Sequence, residues 1–313
     1  MLQFAARRLL QTIPILFGVT VIVFLLVQLM PGNVADVLAP PNAPPEVRQH
    51  IEAIYGLDKP MWEQYLSWMT QMAKGDFGVQ MGSGRLISTQ LYSAIGNTLR
   101  ITMFGAIVGF GLGILLGWLA ARYNGRWLDK LFSLIAIAGV SLPHYWLAIL
   151  LVTLFSVQLN WLPAQGMGPA GFPLTWEHWK YMVVPVFTLS LIPMGVVGRL
   201  VRASVLEVVS QEFVGALDAR GLRRSRIAWH VAKNAAPPVL AVMGLQFGYL
   251  LGGSILVETV FNWPGTGQLL NQAIFGRDMT TIQVTVLVLA FLFVLVNLGV
   301  DMLQAIVDPR MRR

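Results

Sequence analysis

The feature that most constrains this chain is a set of long apolar blocks from which charge is almost missing. They run near Leu9–Met30, Leu99–Ala121, Leu131–Val157, Met182–Val205, Val239–Phe261 and Ile282–Ile306. A helix of about 20 mostly apolar residues spans roughly 30 Å of hydrocarbon and keeps its backbone hydrogen bonds internal. The composition agrees, because 56% of the 313 residues are hydrophobic and 12% are charged. A soluble domain carries about twice that charge, roughly 25%. The blocks therefore predict an all-α integral membrane protein with about six transmembrane helices.

Two blocks need a closer reading. The third is interrupted by Ser141-Leu142-Pro143-His144. One kinked span is expected there, since neither half is long enough to cross and neighbouring helices can satisfy a carbonyl freed by proline. The first follows Arg7-Arg8 and so resembles a signal peptide. Its apolar run is longer than a secretory core of about 7–15 residues and no small-x-small cleavage site follows, so a retained anchor is expected.

Lys and Arg set the orientation. One side receives Arg7, Arg8, Arg122, Arg126, Lys130, Arg199, Arg202, Arg220, Arg223, Arg224, Arg226, Lys233, Arg310, Arg312 and Arg313. The other receives Arg48, Lys59, Lys74, Arg85, Lys180 and Arg277. The first side is cytoplasmic, and with it both termini. The net charge of +7 is thus topological. No basic stretch is paired with a stacking platform of aromatics, so nucleic acid is not an expected partner and membrane lipid is.

The chain divides into residues 1–30 with the first span, an external segment 31–97, and a core of five spans over 98–313. The external segment is too long for a simple connection. After Pro40-Pro41-Asn42-Ala43-Pro44-Pro45, apolar residues recur at helical spacing over Pro45–Tyr55 and Pro60–Ala73, which predicts two short amphipathic helices near the outer face. A cap over the pore mouth and a docking surface for an external partner are both compatible with them. On the cytoplasmic side, residues 206–238 carry good helix formers on both sides of Gly221. A helix over Ser210–Arg220, a turn at Gly221 and a second helix from about Arg223 to Asn234 are expected. Pro237-Pro238 would then open the fifth span. In the second span Gly105, Gly109, Gly113 and Gly117 fall on one helix face, which suits close approach of a neighbouring backbone.

Catalytic and cofactor motifs are missing. The sequence holds no phosphate-binding glycine loop, no zinc helix and no nucleophile elbow. With no cysteine, thiolate metal sites and cysteine nucleophiles are excluded. His50, His144, His178 and His230 lie on different segments and read as isolated polar residues. Glu258 and Asp301 are the ionisable residues that fall clearly within spans, and such residues default to functional hypotheses. Asp301 lies one turn beyond Asn297, which makes the two a polar intramembrane pair or polar glue to a neighbouring helix. Glu258 precedes Phe261-Asn262-Trp263-Pro264-Gly265. It either shapes an outer gate with Trp263, Pro264 and Gly265 or reaches interfacial water. A self-sufficient ion-coupled carrier would show more buried charge around a midplane site. The chain offers a pathway without an engine, and no motif gives a membrane-embedded enzyme its nucleophile, metal or base.

Several fragments, in order along nearly the whole chain, resemble one family. They are Arg7-Arg8-Leu9-Leu10 with Pro14, Met30-Pro31-Gly32, Tyr55-Gly56-Leu57-Asp58-Lys59-Pro60, Gln64-Tyr65 and Gly75-Asp76-Phe77-Gly78. Further on come Arg202-Ala203-Ser204, Ala219-Arg220-Gly221, His230 with Asn234-Ala235 and Pro238, and Glu258-Thr259 with Asn262-Trp263-Pro264-Gly265. Asn297, Asp301 and Asp308-Pro309-Arg310 close the set. The chain resembles the permease subunits of bacterial ABC importers for dipeptides, oligopeptides, glutathione and nickel.

That resemblance implies a type I importer permease in the bacterial inner membrane, without cofactor or catalytic site of its own. It implies a second, homologous permease chain in a heterodimer, two ATPase subunits carrying ATP and Mg, and an external solute-binding protein. The loop that docks in the ATPase would comprise Gly215, Ala216, Ala219, Arg220, Gly221 and Leu222. Two departures from the family pattern stand out. Gly215 and Leu217 replace the Glu and second Ala of the family's loop, and the stretch from Gly221 to His230 is one residue shorter. Both point to a dedicated ATPase. Peptide is the expected cargo. Nickel is the alternative, because Ser141-Leu142-Pro143-His144-Tyr145-Trp146 and Trp161-Leu162-Pro163-Ala164 resemble nickel-type members somewhat more closely.

Overall fold

A computed structural model of the chain describes residues 2–29, 43–81, 83–169, 171 and 175–307. The helices are α1 (Leu2–Gln28), α2 (Pro45–Tyr55), α3 (Met61–Ala73), α4 (Ile87–Arg122), α5 (Trp127–Ser141) and α6 (His144–Val152), which continues as a π-helix over Thr153–Gln158. Then follow α7 (Trp176–Val209), α8 (Glu212–Ala219), α9 (Arg224–Val260), α10 (Thr266–Phe275) and α11 (Met279–Val307). Among the described residues the β structure is one isolated antiparallel bridge, Val79 to Leu86. Met30-Pro31-Gly32, Pro40-Pro41-Asn42 and Asp308-Pro309-Arg310 lie outside the described residues.

α1, α4, α7, α9 and α11 are each long and apolar enough to cross a membrane. The third expected span is broken at Pro143 and not merely kinked, and its two halves pass together as a sixth candidate span. α5 and α6 meet at 99°. Leu142 has extended backbone angles (φ −91°, ψ 130°), the conformation that proline favours in the residue before it, and the helix stops at Ser141 and restarts beyond Pro143. A second expectation also fails, because there is no helix end near Asn234. α9 runs unbroken from Arg224 through Pro237 and Pro238 to Val260. An interior proline costs a helix about 3 kcal/mol. Here Val231, Ala235 and Val239 are buried in one cluster with Val201, Val205 and Val208 of α7, and that contact on both sides of the proline pair holds the helix together. A third element, α10, follows Gly265 and has no counterpart among the expected helices.

α7 is the hub, in contact with α4, α5, α6 and α9. Two thirds (67%) of its most apolar window is buried, against 17% for α1. Small residues explain the difference. Four of the six glycines of α4 lie against α7: a Cβ at Gly109 would sit 2.6 Å from the Ser190 carbonyl oxygen, and one at Gly113 2.8 Å from that of Met194. Gly105 meets Leu189 and Gly117 meets Gly198. On another face of α7, Gly139 of α5 lies against the Leu191 carbonyl and Gly195 against that of Ala136. Gly113→Ala is expected to push α4 from α7 and to destabilise the chain by about 1–3 kcal/mol. Gly111→Ala, on the same helix but with open space around it, should be neutral or slightly stabilising. Thermal unfolding of the two purified variants checks the contrast.

The external helix α3 rests on the first and last spans. Trp68 of α3 is buried with Val23 and Phe24 of α1, flanked by Tyr65, Met69, Met72, Val286 and Leu287. The Thr20 and Tyr65 hydroxyls are 2.7 Å apart, and the Gln28 amide donates to the Gln64 side-chain oxygen at 2.9 Å. Behind α3, the buried Asp278 accepts from the Met81 N–H at 3.1 Å and from the Thr281 N–H and hydroxyl at 3.0 and 2.7 Å. One carboxylate thus caps α11 and pins the external loop.

Candidate functional site

Two constellations stand at opposite ends of α9. The cytoplasmic one is built on α8. Phe213 and Val214 turn toward the valine cluster of α7 and α9, which fixes the short helix on the body. That leaves Gly215, Ala216, Ala219 and Arg220 exposed, and Leu222 half-buried. A Cβ at Gly215 would meet nothing within 4 Å. Gly221 ends the helix with φ +73°, the left-handed conformation that glycine adopts without a side-chain clash. Its N–H donates to the Asp218 carbonyl at 2.8 Å, and the Leu222 N–H to that of Leu217 at 3.3 Å. The result is a small, smooth, exposed projection with cationic side chains at its C-terminal end.

The outer constellation is a buried clasp. Glu258 is 0% exposed, so the interfacial-water reading of this residue is excluded. Its carboxylate accepts from the Thr98 hydroxyl at 2.7 Å, the Gly267 N–H at 2.7 Å and the Gln268 N–H at 3.3 Å. It therefore satisfies backbone donors at the start of α10, where the helix dipole favours negative charge. The Thr98 hydroxyl in turn accepts from the Thr266 N–H at 2.8 Å. Beside it the fully buried Trp263 indole donates to the Asn97 carbonyl at 3.1 Å, and the Asn97 amide to the Pro264 carbonyl at 2.9 Å. A Cβ at Gly265 would run into the Glu258 carboxylate, so a side chain there would displace that carboxylate from its partners. Glu258, Trp263, Pro264 and Gly265 are thus brought together, and with them Asn97, Thr98 and Thr266, which sequence reasoning had not joined to them.

A further cluster went unrecognised in the sequence. Asp129 is buried and receives Arg202 as a bidentate partner, with Nε to Oδ1 at 2.7 Å and Nη2 to Oδ2 at 2.8 Å. Arg202 also donates to the Asn124 side chain at 3.1 Å, and the Gly125 N–H donates to Asp129 at 3.0 Å. Arg202 was visible as part of Arg202-Ala203-Ser204. An acid near the start of a span and a base near the end of another, both on the cytoplasmic side, was the available signal.

Asn297 and Asp301 do not bond one another. The Asn297 amide donates to the Phe293 carbonyl at 3.0 Å, while Asp301 forms an ion pair with Arg8 of α1 at 3.1 Å. His144 stands 6.5 Å from the Tyr249 ring, centroid to centroid. Among the described residues no three His, Asp or Glu side chains gather as a metal site.

Residues 113–313 match the family described as binding-protein-dependent transport system inner membrane component. Residues 1–86 match the N-terminal family of the same membrane components. The chain is 37% identical to the dipeptide transport system permease protein of Alkalihalophilus pseudofirmus, over 100% of both chains. It is 38% identical to the glutathione transport system permease protein of Escherichia coli K12, over 100% of this chain and 99% of the other. Among solved structures, an inward-facing MetNI methionine ABC transporter superposes with a TM-score of 0.58 at 19% identity, covering 70% of this chain and 96% of that one. An amino acid ABC transporter gives 0.52 at 15% identity, covering 71% and 94%. These two likenesses concern the fold.

Proposed function

Because the chain belongs to the binding-protein-dependent transport system inner membrane components, the permease subunits of ABC importers, we propose that it forms half of a translocation path for short peptides. Permeases of this family work with ATPase and binding-protein partners and have no catalytic site of their own. The observation that carries the peptide reading is the full-length similarity to two permeases whose names specify a dipeptide and glutathione, itself a tripeptide.

In this reading two ATPases holding ATP and Mg grip the exposed α8 projection, with Gly215, Ala216, Ala219, Arg220, Gly221 and Leu222 as the contact. A second, homologous permease completes the pore. An external binding protein delivers the peptide to the outer face, where residues 31–97 and the Glu258 clasp border the entrance. The glycine row of α4 keeps the bundle rigid enough to move as a body.

Reconstitution tests this. Proteoliposomes with both permeases, the ATPases and the binding protein should accumulate a labelled dipeptide when ATP is supplied. Ion gradients applied to this chain alone should drive no uptake. Gradient-driven uptake by the isolated chain would replace the importer with an ion-coupled carrier. Uptake of a nickel chelate with no peptide uptake would change the cargo and leave the mechanism.

A further inference from the structure

The apolar arc of α3 is wider than the part of it that the protein covers. At 100° per residue, Trp68, Met72, Tyr65 and Met69 occupy a sector of about 100°, and these are the residues that meet α1 and α11. The apolar sector then continues through Trp62, Ala73 and Leu66 before polar residues begin at Thr70. Trp62 and Leu66 are 63% and 53% exposed, and Met61 at the helix start is 58% exposed. The opposite arc carries Ser67, Thr70, Gln71 and Lys74. An aqueous surface gains nothing from an exposed apolar flank of this kind beside a polar one.

The depth of α3 says what covers that flank. The apolar span of α1 ends at Gln28, which is bonded to Gln64 of α3. Thr20, bonded to Tyr65, lies eight residues further in, about 12 Å along the axis. Phe24, between these two levels, packs on both Tyr65 and Trp68. α3 therefore lies alongside the outer half of a span, not above it. That span is itself bare on its remaining faces, where Ile22, Leu25, Leu26 and Leu29 are exposed.

We propose that the Trp62–Leu66 edge of α3 is immersed in the outer leaflet at the boundary of acyl chains and headgroups. The lipid-facing surface of α1 continues onto it. Tryptophan is favoured at that depth because its ring is apolar and its N–H finds polar headgroup atoms. The polar arc of Ser67, Thr70, Gln71 and Lys74 remains for water and for any external protein.

The chain has no cysteine, so single cysteines report without background. Trp62→Cys, Leu66→Cys and, as the aqueous control, Gln71→Cys are made in the full chain and reconstituted in phosphatidylglycerol–phosphatidylethanolamine liposomes. A bimane label at 62 and 66 should be quenched several-fold more by lipids carrying a doxyl group near the headgroup than a label at 71. A charged maleimide added outside should label 71 readily and 62 and 66 several-fold more slowly. Equal labelling at all three positions without lipid quenching would overturn the proposal. So would labelling at 62 and 66 that falls only when the binding protein is added, or only when chains self-associate, since the flank would then be a protein interface. Should Trp62→Cys fold poorly, Leu66→Cys carries the test, because the smaller leucine side chain is more than half exposed.

Discussion

Replacing Gly221 with proline is expected to reduce ATP-driven uptake to background while leaving the chain inserted in the membrane. Gly221 holds φ +73°, whereas proline is fixed near −65°, and the substitution also removes the N–H that closes α8 onto Asp218. A proline placed where φ is incompatible and the N–H was bonded costs more than about 1 kcal/mol. That cost falls on an exposed projection and not on the bundle, so α8 is misdirected and the spans persist. Arg220→Glu should have the same outcome through charge, since it inverts the cationic end of the projection. Uptake in proteoliposomes, read beside co-purification of the ATPase, separates the two effects. Normal transport by either variant would remove α8 as the point of ATPase contact.

Glu258→Ala carries the second large effect, this time on the fold. The Thr98 hydroxyl and the Gly267 N–H would lose their shared acceptor in a buried setting, and the Gln268 N–H in a part-buried one. Leaving buried donors unsatisfied costs about 1–3 kcal/mol each, so a loss of about 3 kcal/mol or more is expected. Glu258→Gln should lose less, because its amide oxygen can still face the start of α10 while its NH2 turns to Thr98. Thermal unfolding in detergent orders parent, Gln and Ala in that sequence. An Ala variant that melts with the parent would show that the carboxylate does not hold the clasp.

How much of this could be read in the sequence depended on how local the determining contacts are. α2 and α3 start where expected because Pro45 and Pro60 sit at their N-termini, and α2 stops at Gly56, which takes φ +65°. The spans follow from run length alone. The path of α9 does not, because two adjacent prolines signal a boundary, and only the buried valines of α7 outweigh that signal. α5 and α6 fail for the opposite reason. Pro143 was read as a kink, yet the extended Leu142 before it makes a full break. The clasp joins Thr98 to Glu258 and Asn97 to Trp263, positions 160 and 166 residues apart. Nothing at either end announces the other. The exposed face of α8 was the legible part of the site, since a surface turn with glycine at its end is specified by neighbours in the chain.

The unbroken course of α9 has a mechanical consequence. It joins the neighbourhood of α8 to Glu258 as one rod of 37 residues, about 55 Å long. The proline pair lies off-centre, with arms of about 20 Å on the cytoplasmic side and about 34 Å toward the outside. A rod pivoting there is a lever with unequal arms. If the rod turns about that point, Arg224 and Glu258 move in opposite directions, and Glu258, about 31 Å from the proline pair, moves roughly 1.5 times as far as Arg224 at about 20 Å.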